Sequence, residues 1–502
     1  MTCFIELLKA QFEKNANRPA LKYGETVLTY AELKKKVEST AAFLQSAGMQ
    51  KGDRVILYTP DKFSFLQVHL GIIAAGGISL PLNFDFTAHE MEYYINDSGA
   101  RFAAASGEYG KTLQSIKEKC PCLERILDPA EAAGGGNGEL FREPDIKPED
   151  PCFMLYSSGT TGQPKGVVHS HGNLAKSVSS LSKCWRFTPD DILLNVLPLF
   201  HIHGLSFATH TALISGSCTV IEEKFHPVKT MDRIKDATVF MAVPTIYYDF
   251  LKMKKFREKA KDWTEIRLFT CGSAPIRPEV LPELESILGS NIINRYGMTE
   301  SHVITSLPLD GPFVQGSVGL PLEGIEMKLL TEDGREIPCG TKGKKGEKDV
   351  GEVKIKGPNL FSTYWNKPDA MKKDFDKDGF FSTGDLGYFD ENGFLTLVGR
   401  KKDLIISGGY NVYPPVIERV LNEHPLVKES AVIGIPDELK GEKVMAVVVP
   451  EDGFDLNELK QYCRKKLVKY QQPVRFELID ELPRNTMAKV LKRKLRETFS
   501  NE

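Results

Sequence analysis

The sequence has no long apolar run. No uninterrupted hydrophobic stretch in its 502 residues approaches the ~20 residues that a membrane-spanning helix needs, so no membrane span is expected. An excess of one charge is missing too: 65 basic residues face 67 acidic ones, a net charge of -2. That balance gives no electrostatic basis for binding nucleic acid or an anionic membrane. Cysteines are few and scattered, nine in all. The one close pair, Cys120 and Cys122, has C-P-C spacing, which is not the spacing of a metal site. Reduced thiols in the cytoplasm are the expectation. The opening stretch MTCFIELLKAQFEKNANRPA carries lysines and acids throughout and lacks the apolar core of a signal peptide.

What is present is ordinary for an enzyme: 41% hydrophobic and 26% charged residues, in a chain too long for a single core. Up to about residue 350, helical apolar spacing (TYAELKKKVESTAAFLQSAG) alternates with short buried runs (DRVILYT, SCTVIEE, ATVFMAVP, IRLFTCG). This is the pattern of an α/β fold with largely parallel sheets. From Glu352 the texture changes to short antiparallel strands (GEVKIKG, GFFSTGDLGYF, GFLTLVGR), expected to form a small β-barrel-like part. After Arg400 follows a compact α+β pattern. The expected domains are therefore 1–400, large and α/β, and 401–502, small and α+β, with the boundary at Arg400 to Lys402.

Several polar loops interrupt the apolar runs. YSSGTTGQPKG (156–166) follows Phe153-Met154-Leu155 and offers Ser157, Ser158, Gly159, Thr160, Thr161, Gly162 and Lys165. Glycines let backbone N–H groups approach a polyanion, hydroxyls add donors and the lysine adds charge. It is not a Walker loop, because Lys165 stands between Pro164 and Gly166. The loops that follow are GSAP (Gly272, Ser273, Ala274, Pro275), RYGMTE (Arg295, Tyr296, Gly297, Met298, Thr299, Glu300), FSTGDLG with Asp385, GRKKDLIISGGY and LPRNTMAKV with Lys489. Singly, each reads equally as a turn with a charge: Glu300 as a helix N-terminal acid, Asp385 as a turn cap, Lys489 as a solvated base. Together, in this order, they form a set. LPLFHIHGL adds His201 and His203 among apolar residues, with no third ligand near enough for a metal.

The ordered set resembles the adenylate-forming superfamily of acyl-CoA synthetases, luciferases and peptide-synthetase adenylation domains, over essentially the whole chain. The resemblance implies activation of a carboxylic acid by ATP to an acyl-adenylate with release of pyrophosphate, then transfer to the thiol of CoA, with Mg²⁺ as cofactor. It implies that the 157–165 loop grips the β- and γ-phosphates and that Thr299 meets the α-phosphate. Glu300 would hold magnesium, where a hard oxygen suits the ion. Tyr296 and the GSAP backbone would contact adenine, and Asp385 with Arg400 the ribose. Lys489 would bridge acyl oxygen and phosphate; the family's usual glycine before it is Ala488 here. His201 would face the incoming carboxylate. Lys402 would be the hinge on which a mobile C-terminal domain turns, and Gly408 and Gly409 would line the CoA tunnel. Alternatives share the first half-reaction (an enzyme loading a carrier protein) or have no chemistry (a nucleotide-binding regulator). A monomer or homodimer is expected.

The chain looks most similar to malonyl-CoA synthetases, where two arginines clamp the second carboxylate. Arg295 stands at one of these positions. At the other, in VPTIYYDFL, stands Asp249. An acid there is expected to pair with Arg295 and leave the pocket neutral, with Tyr247 and Gly297 nearby. The expected substrate is a small-to-medium monocarboxylate, alicyclic, aromatic or short-chain, ahead of malonate; the alternative is a malonyl-CoA synthetase in which Asp249 points away and Arg295 alone binds malonate.

Overall fold

The computed structural model describes residues 2–157, 164–341, 349–484 and 490–499. It divides into two compact units that interleave in sequence: Met1–Glu326 with Lys356–Gly379, and Met327–Ile355 with Phe380–Glu502. Position 400 therefore lies inside the second unit.

The first unit is built on two sheets, one of nine strands and one of seven. Both are parallel in the middle, as the fully apolar runs predict. Val239–Ala242 is buried at every position and lies between Ile192–Asn195 and Leu268–Cys271, both parallel to it. Leu268–Cys271 is followed in the sheet by Ile292–Met298, again parallel. The site loops leave the C-terminal ends of these strands, where loops from parallel strands converge. The sheet edges turn antiparallel: Ile292–Met298 forms a hairpin with His302–Ser306, and Pro151–Ser157 one with Lys165–Ser170.

In the second unit, Glu326–Leu330, Gly351–Lys356, Phe381–Phe389 and Leu395–Arg400 form a four-stranded sheet, the piece expected to be barrel-like. A second, five-stranded sheet centres on the long hairpin of Val427–Asp437 and Gly441–Pro450. Alternation in this hairpin sorts the side chains by face. Val432, Val444, Ala446 and Val448 share a core with residues of the helices Pro414–Asn422 and Leu456–Lys466. Ala431, Ile433, Met445 and Val447 form another with Leu495 of Lys492–Phe499.

Candidate active site

The hairpin Pro151–Ser157/Lys165–Ser170 holds the ends of the first glycine-rich loop in register, Ser157 opposite Lys165. Ser158, Gly159, Thr160, Thr161 and Gly162 lie outside the described residues. At one end, the Ser157 hydroxyl donates to Glu300 Oε1 at 3.0 Å. At the other, Lys165 Nζ lies 3.3 Å from Asp374 Oδ2 and 4.4 Å from the centre of the Tyr364 ring. Burial, Glu300 and Asp374 all push the Tyr364 phenol upward, so it stays neutral. The structure thus adds Tyr364 and Asp374 to this end of the site. Neither carries a sequence signal, since both stand far along the chain in unremarkable surroundings.

Thr299 and Glu300 form the turn between Ile292–Met298 and His302–Ser306. Gly297 is required just before it: a Cβ there would come within 2.2 Å of the His302 carbonyl oxygen. Tyr296 is buried, while Met298 is only partly so.

Arg295, on the same strand, is 2% exposed. Its Nη2 donates to Ser273 Oγ at 3.4 Å, and its guanidinium lies 4.8 Å from the centre of the Phe207 ring. Ser273 Oγ also meets His203 Nδ1 at 3.1 Å. Gly272 allows this packing, because a Cβ would lie 2.7 Å from the guanidinium carbon. Ser273 itself holds a left-handed φ of 70°, a strained conformation for a residue with a side chain. Ala274 and Pro275 beside it are exposed. Burial pulls Arg295 down to about 10, leaving it charged at neutral pH. Burial, then Arg295 and His201, hold His203 well below the ordinary imidazole range, so it is neutral. Among the described residues, Arg295 Nε, Arg295 Nη1 and His203 Nε2 have no hydrogen-bond partner. Two of the three unpartnered atoms, Arg295 Nε and Nη1, are donors whichever imidazole nitrogen carries the proton.

The expected Asp249–Arg295 pair is not formed. Asp249 Oδ1 pairs with Lys252 at 3.1 Å, with side-chain exposures of 41% for the acid and 75% for the lysine. The reason is helical phase. In Pro244–Lys252, Ile246, Tyr247 and Phe250 are buried, which leaves Asp249 on the outward side with Thr245 and Lys252. Tyr247 is likewise a core residue, fully buried, with its hydroxyl donating to the Thr270 carbonyl at 3.0 Å. His201 is half-buried beside Phe200, ring centres 4.5 Å apart.

In the second unit Asp385 lies opposite Arg400 across two antiparallel strands, and Arg400 Nε is 3.1 Å from Asp385 Oδ1. Lys402 lies in the short helical turn Lys401–Asp403. Gly408 and Gly409 form the two-residue turn between Ile405–Ser407 and Tyr410–Val412, with φ of 58° and 81°, the pairing that only a turn of this hand demands. Lys489 and Ala488 lie outside the described residues.

The profile of the AMP-binding enzyme family matches residues 8–365, and that of the AMP-binding enzyme C-terminal domain matches 416–489. The chain belongs to the AMP-binding enzyme family. The oxalate–CoA ligase of Arabidopsis thaliana is 34% identical to it, over 98% of each chain. The malonate–CoA ligase of the same plant is 31% identical, over 91% of this chain and 79% of the relative. The structure of ATP-bound MatB from Rhodopseudomonas palustris superposes with a TM-score of 0.92 at 37% identity, covering 100% of this chain and 99% of the other. This family member is an AMP-forming acid–thiol ligase whose substrates are ATP, CoA and a carboxylic acid. Magnesium fits the residues present: the Glu300 carboxylate and Thr299 hydroxyl supply hard oxygens on one turn, beside the Ser157 hydroxyl. No helix among the described residues is long and apolar enough to cross a membrane.

Proposed function

We propose that this ligase activates a short carboxylic acid that carries a second anionic or hydrogen-bond-accepting group. One observation carries the reading: Arg295, buried and charged, faces no carboxylate among the described residues, and two of its guanidinium nitrogens are donors without a hydrogen-bond partner. Removing an ion from water costs several kcal/mol unless a counter-ion is supplied. A second carboxylate, or a ring oxygen at the far end of the acid, would supply it. The relatives named for malonate and oxalate accord with this. The monocarboxylate expectation rested on Asp249 neutralising Arg295, and Asp249 pairs with Lys252 instead.

The proposed roles follow from charge and position. A carboxylate is a poor electrophile until joined to AMP, so the work is orientation and neutralisation of charge. The loop 158–163 and Lys165 would hold the β- and γ-phosphates, Thr299 the α-phosphate, the GSAP backbone and Tyr296 the adenine, and Asp385 with Arg400 the ribose. Glu300 would hold Mg²⁺, which when bound offsets phosphate charge. His201 would meet the reacting carboxylate, and Lys489 would bridge it to the phosphate. A hinge at Lys402 would remove Lys489 for the second half-reaction, and Gly408 and Gly409 would line the path of CoA. Nine free cysteines accord with a cytoplasmic enzyme.

A panel of malonate, oxalate, a ring-bearing hydroxy acid, cyclohexanecarboxylate and butyrate, assayed for kcat/KM with free CoA, tests the substrate. Acids with a second acceptor are expected to lead by about tenfold or more, roughly 1.4 kcal/mol. A lead for butyrate or cyclohexanecarboxylate would overturn the reading.

A further inference from the structure

Beneath the Thr299–Glu300 turn lies a chain of buried side chains that the reaction scheme above does not use. His169 Nε2 is 2.8 Å from the Thr299 carbonyl oxygen. His302 Nε2 is 3.0 Å from His169 Nδ1, and Ser206 Oγ is 3.2 Å from His302 Nδ1. His169, His302 and Ser206 are fully buried.

Hydrogen-bond chemistry fixes the direction of this chain. A carbonyl can only accept, so His169 Nε2 carries the proton. Burial holds His169 down to about 4, so the ring is neutral and its Nδ1 is bare. The proton between the rings is then on His302 Nε2, and the Ser206 hydroxyl donates to His302 Nδ1. The Asn173 amide also lies 3.3 Å from His169 Nδ1. As placed, Asn173 Oδ1 faces the ring and Nδ2 donates to Ser362 Oγ at 3.2 Å; with the amide exchanged end for end, its NH₂ would add a second donor to the ring and its oxygen would accept from the Ser362 hydroxyl.

The chain joins two parts of the site. Ser206 belongs to the π-helix His203–His210, whose first residue reaches Ser273 and through it Arg295. π-Turns occur mostly as short pieces at functional sites. At the other end, three consecutive carbonyls of the turn are each held by a donor: Thr299 by His169, Glu300 by the Phe361 N–H and Ser301 by the Asn359 amide. Of these three donors, His169 leads on to the π-helix. Packing alone would be met by apolar side chains, and two buried imidazoles are costly unless their hydrogen bonds are used. His302 also holds a left-handed φ of 57°, the kind of strain that a surrounding network must stabilise.

We propose that His169 and His302 are positioning residues for adenylation, fixing the Thr299–Glu300 turn against the π-helix that carries His203. The proposal rests on the reading of Thr299 and Glu300 as nucleotide and metal contacts.

ATP–pyrophosphate exchange separates the two. Thr299→Ala tests the underlying reading and is expected to cut exchange about 100-fold. His169→Leu keeps bulk and removes the donor; it is expected to raise KM for ATP about tenfold and leave KM for the acid within about twofold. His169→Gln, whose amide can still donate, is expected to recover most of the loss. His302→Asn suits the left-handed backbone but cannot span to His169, and is expected to shift KM for ATP in the same direction. It decides the matter if the His169 variants do not fold. Unchanged exchange in His169→Leu and His302→Asn, with exchange lost in Thr299→Ala, overturns the positioning role alone. Equal rises in both KM values, unrelieved by Gln, would mark a merely structural pair and overturn it as well. Unchanged exchange in Thr299→Ala overturns both readings.

Discussion

Two cations in the first unit, the partly buried Lys165 and the buried Arg295, are handled in opposite ways. Lys165, at the end of the glycine-rich loop, has an acid within 3.3 Å and an aromatic ring beneath it. Arg295 has a ring, a hydroxyl and a neutral imidazole as company, and no acid among the described residues. The first cation is balanced by the protein itself, so on the proposed reading a polyphosphate would compete with Asp374 for it. On the same reading the second would be balanced by the acid substrate. A side chain kept charged and unpaired at 2% exposure destabilises the fold on its own account. Burial pulls it down to about 10, so its charged form is disfavoured there. The proposed function sets nucleotide and acid apart on this basis: one end of the site is pre-neutralised, and the other would select for what completes it.

The sharpest way to break this contrast is Arg295→Met. It removes the charge while keeping an apolar side chain of similar length. kcat/KM for the preferred acid is expected to fall about 100-fold, with KM for ATP little changed. Steady-state kinetics with each substrate varied in turn checks both. A parallel loss in the two substrates would mean that Arg295 serves the nucleotide instead.

Glu300→Gln comes next in size. It keeps shape and an acceptor for the Ser157 hydroxyl but removes the formal charge that a hard divalent ion prefers. The magnesium concentration for half-maximal exchange is expected to rise about tenfold. Titrating magnesium at saturating ATP measures it, and an unchanged midpoint would remove Glu300 from the metal's ligands.

Stability gives a third, smaller contrast with opposite signs. Without substrate, Arg295→Met is expected to raise Tm, since it deletes an uncompensated buried charge. Lys165→Met is expected to lower it, because it strands Asp374. Thermal melts of both variants would break the comparison if the shifts had the same sign.

Much of this was legible in the chain. The fully apolar strands announced themselves as runs such as VFMA and LFTC, and the loops that follow them carried the family's motifs in order. The compact α+β pattern after Arg400 was likewise readable, and the second unit shows it. What could not be read was proximity across the sheet. His203, Ser273 and Arg295 come from three segments separated by 70 and 22 residues, and no periodicity links them, so His203 looked like one more histidine in an apolar run. His169 and His302, 133 residues apart, are the same case. The left-handed backbones of Ser273 and His302 are likewise imposed by surroundings rather than by residue type. Asp249 is different, because the phase of its helix is readable in the chain: Ile246, Tyr247 and Phe250 fall on the buried side, and Thr245, Asp249 and Lys252 on the other.

Asp249→Asn is therefore the variant expected to do least. The acid is 41% exposed and its partner Lys252 75% exposed, so the pair is solvated and screened, and contributes about 0–1 kcal/mol. Its removal is expected to leave Tm within about a degree and kcat/KM for every acid in the panel within about twofold. The outcome matters because two accounts of the acid site differ on it. If Asp249 set the pocket's charge, its neutralisation would release Arg295 and shift preference toward dicarboxylates. If Arg295 is already unpaired, preference stays where it was. The ratio of kcat/KM for malonate to that for butyrate, compared between Asp249→Asn and the parent enzyme, decides between them. A rise in that ratio of about tenfold would restore Asp249 to the site and make the solvated pair with Lys252 incidental.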